Sequence, residues 1–495
     1  MSKLRFAPLI LLLFVLAINI VPLSAQDPII IRQLDHLVVQ TPAFDLAIEQ
    51  FEADHPGVQI EREVLTNAAE VLQFAFTDPS TAPHVFIANI LEPAQMRSLV
   101  DAGYVYSLDQ FPDWEEFLSR FPAPDAAVAP GQNVYDDVVV SMKFDADQWW
   151  HQYYINLNLY EQAGIVDDNG DPIIPSTWEA MVENAYTIHE ATGAYGFSYP
   201  GANPGLFGFY WWTCYLSSIA YGPRGFGYDM RTGEFTAAEN PCFETIITDL
   251  LRMRDDGILP PDMLAIDDEP NRALFAEDQV AHILTGVWAI TGWEQTHPEF
   301  TNYTSVPVPL VGVDAPTKLY PQNPAGVFLS ISTAAAEDPA LLEATWEWYK
   351  FIYSEEFGRI WAETGNGLSI FTPGDPQQYA TQQNAGAFAS AQFFAPDPEP
   401  QLARRNPDVG RLEQTLIGPT EADVLVGIFS GQITDWREAL ADLDARYTEA
   451  FEIALEDAQA AGANLTIEDF IVRDWVPEEP YTTPLEPGHY PGASQ

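Results

Sequence analysis

YYINLNLYEQAGI, residues 153–165, is the stretch of this sequence from which the fold is predicted most directly. Its aromatic start predicts a short strand, and the residues that follow predict a helix that Gly164 ends. After a polar loop, Pro175 and Thr177 begin a second helix. We interpret the stretch as a crossing between two α/β lobes. It contains neither an acid–base pair nor a phosphate-binding loop, so it favours binding over chemistry.

The composition is that of a large globular protein with an extreme charge. The chain has 495 residues, enough for two or three domains, and 47% of them are hydrophobic, which excludes a disordered chain. The formal net charge is −51. Such a surface repels a phosphate backbone and an anionic membrane, so neither nucleic acid nor membrane is an expected partner.

The N-terminus has the pattern of a secretory signal peptide. Lys3 and Arg5 precede an apolar run, residues 6–21, and the small residues up to Ala25 offer a cleavage point. We therefore predict a signal peptide over residues 1–25 and a mature chain that starts near Gln26. The cleavage region has no cysteine for a lipid anchor. The mature protein is expected to be soluble and periplasmic or extracellular.

The chain has two cysteines, Cys214 and Cys242. In an exported protein two thiols can form one disulfide. They can equally be two buried free thiols, because cysteine packs well as a small hydrophobic residue. The sequence leaves both possibilities open.

Strands and helices alternate in the first third of the mature chain. Strands are predicted from residue 29, over 58–64 and over 84–88, with helices over 44–55, 68–76 and 93–102. This order predicts an α/β fold with a mostly parallel sheet covered by helices. Ligands gather at the carboxyl ends of such strands, which here fall near Asp35 and at Asn89 to Glu92.

Four segments in the proper order resemble the extracellular solute-binding proteins of the sugar type, which include maltose-binding protein. They are YYINLNLYEQAGI with PSTWEAM, VFIANILEPAQMRSLVDAGYVYSLDQF, ALFAEDQVAHILTGVWAI, and LYPQNPAGVFLSISTAAAEDPALLEATWEWYKFIYSEEFGRIWAETGNGLSI. The resemblance implies a two-lobed periplasmic-binding-protein fold of type II with a hinge between the lobes. It also implies a monomer without cofactor that binds a small molecule, typically a carbohydrate, and docks on the permease of an ABC importer.

Three departures from the family pattern concern the ligand more than the fold. The usual Gly-aromatic-Gly-Leu-Pro hinge is replaced by residues 145–152, DADQWWHQ. Asn89 stands where the family often has Asp. The loop from Gly196 to Phe226 is long and aromatic.

The site is predicted mainly from aromatic and amide residues. Flat aromatic rings stack on the apolar face of a sugar, while carboxylates and amides bind its hydroxyls. Trp178, Trp346, Trp348 and Trp361 fall in helical patterns and are predicted to be core. For every other candidate, packing in the core or a solvated loop is the competing interpretation. The predicted ligand-binding residues are Asn89, Glu92, Tyr154, Asn156, Tyr210, Trp211, Trp212, Trp288, Trp293 and Asn366.

The predicted lobes exchange segments. The first is expected to comprise residues 27–145 and 294–338, and the second residues 146–293 and 339–470. Helices are predicted over 421–429 and 435–460, and residues 471–495 are expected to form a flexible tail.

Three other interpretations concern the function. Asp167 to Asp171 has the first spacings of a calcium loop, but Pro172 stands at the required glycine, so a polar turn is predicted and no metal site. An exported glycoside hydrolase would also be acidic and rich in tryptophan, and it needs only two carboxylates. A relative of the same fold that binds a peptide, polyamine or metal complex remains a further alternative.

Overall fold

The computed structural model describes residues 28–78, 81–91, 93–130, 132–202, 214, 221–222, 225–312, 320–321, 325–390, 393–395 and 402–476. None of the helices in these segments combines the length and the apolar character that a membrane span needs.

Sixteen strands are described, most of them short. In chain order they are β1 Ile29–Asp35, β2 Val58–Val64, β3 Val85–Ile87, β4 Val134–Tyr135, β5 Val138–Val139, β6 His151–Asn156, β7 Tyr195–Ser198, β8 Tyr221–Gly222, β9 Gly225–Phe226, β10 Tyr228–Asp229, β11 Glu234–Phe235, β12 Val280–Gly286, β13 Tyr303–Val306, β14 Tyr320–Pro321, β15 Leu329–Ile331 and β16 Phe394–Ala395.

The α-helices of the described segments surround these strands. In chain order they are α1 Thr41–Asp54, α2 Ala68–Ala75, α3 Pro93–Asp101, α4 Trp114–Leu118, α5 Leu157–Ala163, α6 Trp178–Thr192, α7 Pro241–Asp255, α8 Asp268–Ala276, α9 Ala289–Thr296, α10 Pro339–Ile352, α11 Glu355–Glu363, α12 Ala385–Ser390, α13 Leu402–Arg405, α14 Glu421–Phe429 and α15 Trp436–Ala460.

Two four-stranded sheets form the centres of two lobes. The first sheet has the order β15-β3-β1-β2, with β1, β2 and β3 parallel and β15 antiparallel to β3. The second has the order β13-β6-β12-β7, in which β6 runs antiparallel to both of its neighbours. The alternation of strands and helices predicted for the start of the chain is therefore observed.

Each sheet carries its own hydrophobic core. The first core, in the first lobe, comprises buried residues between Ile31 and Phe144 and between Phe328 and Phe371. The second core, in the second lobe, comprises residues between Trp149 and Val311 and between Leu402 and Trp475. Because apolar burial is the main source of folding free energy, each lobe has an independent basis for its stability.

These cores correct the predicted lobe boundaries after residue 293. Strand β13 pairs with β6 and so belongs to the second lobe, although residues 294–338 were assigned to the first. Helices α10 and α11 pack in the first core, although residues 339–470 were assigned to the second. The sequence shows the period of a helix but not the sheet that it covers, which explains the error.

The chain crosses between the lobes just before the stretch from which the fold was predicted. Phe144 packs in the first core and Trp149 in the second, so the crossing comprises residues 145–148. Residues 153–165 themselves form the end of β6 and helix α5, inside the second lobe. Gly164 ends α5 with a φ of 73°, and Thr177 caps α6 through its hydroxyl oxygen, as the sequence predicted.

The two cysteines are joined. The Cα atoms of Cys214 and Cys242 lie 5.6 Å apart and their sulfurs form a disulfide. Cys242 lies in the first turn of α7. The bond therefore ties the aromatic loop that contains Cys214 to a helix of the second core.

Candidate functional site

The carboxyl edge of the first sheet is organised by a buried ion pair. The Asp35 carboxylate is fully buried and accepts hydrogen bonds from Arg62 Nη2 at 2.7 Å and Arg62 Nε at 2.8 Å. It also accepts the Leu37 backbone N–H, and Arg62 donates to the Leu37 carbonyl. The pair thus fixes the loop after β1, and Asp35 keeps little capacity for a ligand. Asn89, just beyond the end of β3, is exposed.

The matching edge of the second sheet presents two tryptophans. Gly286, the last residue of β12, is paired with His151, the first residue of β6. Trp288 follows one strand and Trp150 precedes the other, and the Val287 N–H donates to the Trp150 carbonyl at 2.9 Å. Both indole side chains are half-buried, unlike the core tryptophans.

Gly286 and His151 set the position of the Trp288 ring. A Cβ at residue 286 would lie 2.2 Å from the ring of Trp288, so only glycine leaves room for it. The imidazole of His151 meets the same ring edge-on, with centroids 5.1 Å apart. Burial lowers the pKa of His151 to about 3, so the ring is neutral at ordinary pH. The tryptophan therefore rests against uncharged groups.

A glycine-containing turn from the first lobe meets this edge. After α11 the chain turns through residues 364–367, and the Thr291 hydroxyl of α9 donates to the Thr364 carbonyl at 2.9 Å. A Cβ at Gly367 would lie 2.6 Å from Nε2 of Gln148 and 3.3 Å from the ring of Trp150. The turn, the crossing and the second sheet thus converge at one place.

Two buried amides at this place have polar atoms without a hydrogen-bond partner among the described residues. Both polar side-chain atoms of Gln148 are without a hydrogen bond among the described residues, and its exposed fraction is 6%. Asn366 donates to the Thr364 hydroxyl at 2.8 Å, but its Oδ1 is likewise without a partner. A buried polar group that is left unpaired costs free energy. These amides therefore supply hydrogen-bonding capacity that a ligand or water can use.

We define the candidate cleft by four side chains that the structure brings together. They come from the crossing, from the end of β12 and from the turn after α11, so that both lobes contribute. The four residues are Gln148, Trp150, Trp288 and Asn366.

Charge near the cleft is internally balanced. Lys143 Nζ lies 2.5 Å from Asp147 Oδ1, so these two groups of the crossing neutralise each other. Asp145 keeps part of its surface exposed, yet desolvation of its carboxyl raises its pKa to about 7, an effect that Lys143 partly opposes. Within the described residues no group of His, Cys, Asp and Glu side chains is suited to hold a metal ion.

Three predicted site residues lie in cores instead. Tyr154 is fully buried, and Trp293 is 2% exposed and donates from Nε1 to the Arg272 carbonyl. Their rings contact each other at 5.1 Å in a small core under the second sheet. Side chains along a strand alternate between the two faces of its sheet. Both faces of this sheet are covered and neither opens to the cleft, so Tyr154 is buried and not a site residue.

Asn156 is the third of these residues. Its Oδ1 accepts the Leu159 N–H as the N-cap of α5, and its Nδ2 donates to the Phe275 carbonyl and to Asp278. All of its polar atoms are engaged in the protein. Capping of α5 is therefore its role.

The remaining predictions divide into two groups. Trp288 and Asn366 lie in the candidate cleft, and Asn89 lies at the edge of the first sheet. Glu92, Tyr210, Trp211 and Trp212 fall outside the described residues.

The side chains predicted at Asp167 to Asp171 form a polar turn, in which Asp167 Oδ1 accepts the N–H groups of Asn169 and Asp171.

Sequence reasoning missed Gln148 and Trp150. Both lie in the segment recognised as a departure from the family's hinge, which was used only to question the ligand. The available signal was the Gln-Trp-Trp run immediately before an aromatic strand. When a strand runs antiparallel to its neighbours, its first residues lie at the edge where the neighbours end, which here is the edge of the cleft.

The comparisons agree with this architecture. The family description "Bacterial extracellular solute-binding protein" matches residues 38–358, well over half of the chain. The chain belongs to this family. No curated protein sequence is significantly similar to it.

Solved structures show the same fold at low identity. The GacH receptor of Streptomyces glaucescens has a TM-score of 0.59 at 20% identity, with 86% of this chain and 98% of that chain covered. Maltose-bound MalE3 of T. maritima has 0.59 at 15%, with 85% and 99% covered. A cycloalternan-bound ABC substrate-binding protein from Listeria monocytogenes has 0.58 at 16%, with 86% and 100% covered.

Proposed function

We propose that this solute-binding protein holds an uncharged carbohydrate between its lobes. The observation that carries the proposal is the pairing of two half-buried indoles, Trp150 and Trp288, with two buried amides, Gln148 and Asn366, that have polar atoms without a partner among the described residues. The apolar face of a pyranose stacks on an indole, and its hydroxyls donate to and accept from amides.

The balance of charge favours a neutral ligand. His151 is uncharged, and the ammonium of Lys143 is already paired with Asp147. A sugar acid would need a free cation and a polyamine would need free carboxylates, because an unpaired charge is costly to bury. The described cleft residues offer neither.

Relatives of the same fold support this substrate class. The GacH receptor was solved in complex with acarbose, and the Listeria and T. maritima proteins hold cycloalternan and maltose. All three ligands are oligosaccharides. We extend the class to this chain, together with Asn89, Glu92, Tyr210, Trp211 and Trp212 as further candidate contacts of the sugar.

The proposed role of this binding is transport. Residues 1–25 direct export and are removed, and the mature chain then acts as a monomer outside the cytoplasm. Closure of the lobes on the sugar produces the form that docks on the permease of an ABC importer. As a member of the solute-binding family, the protein is proposed to bind the sugar without hydrolysing it.

A thermal-shift screen tests the proposal. Maltose, maltotriose, raffinose and cycloalternan are incubated with the mature protein, alongside spermidine, a tripeptide and glucuronate. We expect an oligosaccharide to raise Tm, because a ligand that binds only the native state stabilises it. Trp288→Ala should abolish the shift, whereas Trp436→Ala, on a helix of the second lobe away from the crossing, should preserve it.

Two outcomes contradict the proposal. A shift with spermidine, peptide or glucuronate and none with any neutral sugar rejects the substrate class. Chromatography of the incubated oligosaccharide gives the second readout: release of smaller sugars identifies an enzyme and rejects the binding role.

A further inference from the structure

Arg97, a residue of the first lobe, forms an ion pair with Glu413, which lies outside that lobe. Arg97 lies in α3, between Met96 and Leu99, which are both buried in the first core. Its Nε lies 2.7 Å from Glu413 Oε1, and its Nη1 lies 3.5 Å from Asp136 Oδ2. Its guanidinium carbon lies 5.4 Å from the centre of the Tyr135 ring. Asp136 and Tyr135 are neighbours within the same lobe, but Glu413 is not.

Glu413 belongs to a segment fixed on the second lobe, residues 402–419, which we call the strap. Leu402 is buried in the second core and Leu412 packs against it. Gln414 donates from Nε2 to the Tyr447 carbonyl, and Arg405 donates to the Ile471 carbonyl at 2.9 Å. The residues on both sides of Glu413 are therefore tied to the second lobe. The strap lies beyond residue 358, where the family match ends.

The Arg97–Glu413 contact differs from the other ion pairs of the described segments. Each of the others joins groups within one lobe, or, for Lys143 and Asp147, within the crossing. A typical example is Arg437 with Glu244, which connects two helices of the second lobe. Among these ion pairs, Arg97 and Glu413 are the partners whose backbones are anchored in different cores.

We propose that the strap is an interlobe clasp, in which the Arg97–Glu413 ion pair stabilises the relative arrangement of the two lobes seen in this structure. The crossing at 145–148 permits hinge motion, and an ion pair between the two bodies that move opposes that motion. Asp136 and the Tyr135 ring hold the guanidinium in place, so the Arg97 side chain loses little entropy when it forms the ion pair with Glu413. The clasp acts whichever solute occupies the cleft.

The clasp shifts the equilibrium between lobe arrangements only modestly. Glu413 is 40% exposed and Arg97 is 21% exposed, so water screens their attraction. An exposed pair of this kind shifts an open–closed equilibrium by up to about fivefold. Removing either partner should therefore move a measurable fraction of molecules to another lobe arrangement without unfolding either lobe.

Small-angle X-ray scattering of the ligand-free mature protein tests the clasp. We expect Arg97→Ala and Glu413→Arg each to change the radius of gyration relative to the wild type, and Arg97→Lys, which keeps a positive charge beside Asp136, to change it less. Arg437→Ala is the matched control, since its partner Glu244 lies in the same lobe. Far-UV circular dichroism establishes that each variant is folded.

The result is independent of the ligand. Wild-type dimensions in Arg97→Ala and Glu413→Arg overturn the clasp, as does an Arg97→Lys variant that changes as much as Arg97→Ala. If the sugar screen fails while the scattering changes as expected, the carbohydrate proposal falls and the clasp stands.

Discussion

Gln148 shows how a residue can weaken a fold and serve a site. Its amide is buried without a partner among the described residues, where an unpaired polar group costs about 1–3 kcal/mol. Gly367 leaves the room that this side chain needs, since a Cβ there would lie 2.6 Å from Nε2. A side chain kept at such a cost is a reasonable candidate for ligand contact.

Replacement of Gln148 by Leu should separate stability from binding. Leucine has a similar volume and no polar atoms, so Gln148→Leu is expected to raise the free energy of unfolding by about 1–3 kcal/mol. The same change should lower oligosaccharide affinity at least tenfold, because a hydroxyl loses its partner. Denaturant unfolding and titration calorimetry measure the two effects. Loss of stability with unchanged affinity would show a purely structural role.

His282 makes stability depend on pH. The ring is fully buried; its Nδ1 donates to the Gly196 carbonyl at 2.7 Å, which leaves Nε2 to accept the Tyr160 hydroxyl at 2.7 Å. Burial lowers the pKa of His282 to about 4, whereas the unfolded side chain has a pKa of about 6.5. The unfolded state therefore binds the proton first as the pH falls.

The expected result is a loss of stability between about pH 6.5 and pH 4. In His282→Asn the decrease in the free energy of unfolding across this range should be smaller than in the wild type. His189→Asn is the control, since His189 lies half-buried near the end of α6. Equal pH slopes in the wild type and His282→Asn would contradict the assignment.

At the scale of elements, sequence reasoning located strands and helices better than it located their partners. The ends of α5 and the start of α6 followed from Gly164 and Thr177, whose local chemistry is visible in the sequence. The covering of β6 on both faces was not visible, so Tyr154 and Asn156 were assigned to the site. Pairing depends on residues more than a hundred positions away, such as His282 opposite Ile155.

The disulfide gives an element-scale prediction. Cys214 and Cys242 are 28 residues apart, and closing a loop of this length stabilises the native state by about 3–4 kcal/mol in the chain-entropy treatment. The double variant C214A/C242A should lose stability of this order. Cys214 lies in the same loop as the predicted contacts Trp211 and Trp212, so the oligosaccharide affinity of the double variant should also fall.

Reduction of the wild type provides the comparison for that variant. Dithiothreitol should lower the melting temperature of the wild type and leave that of the double variant unchanged. A double variant with unchanged melting temperature and affinity would show that the bond neither stabilises the second lobe nor positions the loop.

At the scale of the whole molecule, the lobes and their hinge follow from the order of elements, whereas the exchanged segments do not. The family resemblance predicts two lobes, and two separate cores are observed. The assignment of β13 and α10 needed the pairing itself, because amphipathic patterns do not state which sheet they cover. Gln148 and Trp150 were missed for a related reason: the crossing places them at the cleft.

The net charge dominates the behaviour of the whole molecule. At −51, like charges repel across both lobes, and this repulsion opposes compaction. The described ion pairs are mostly exposed and contribute little each. Salt weakens both terms, with a screening length that falls from about 30 Å at 0.01 M to about 10 Å at 0.1 M.

Screening should therefore stabilise this protein. We expect the melting temperature to rise as sodium chloride increases from about 0.01 M to about 0.1 M, because long-range repulsion within a chain of this charge outweighs the loss of exposed ion pairs. Potassium chloride should act equally, since screening depends on ionic strength and not on the cation. A fall in melting temperature over the same range would mean that the ion pairs contribute more than the repulsion.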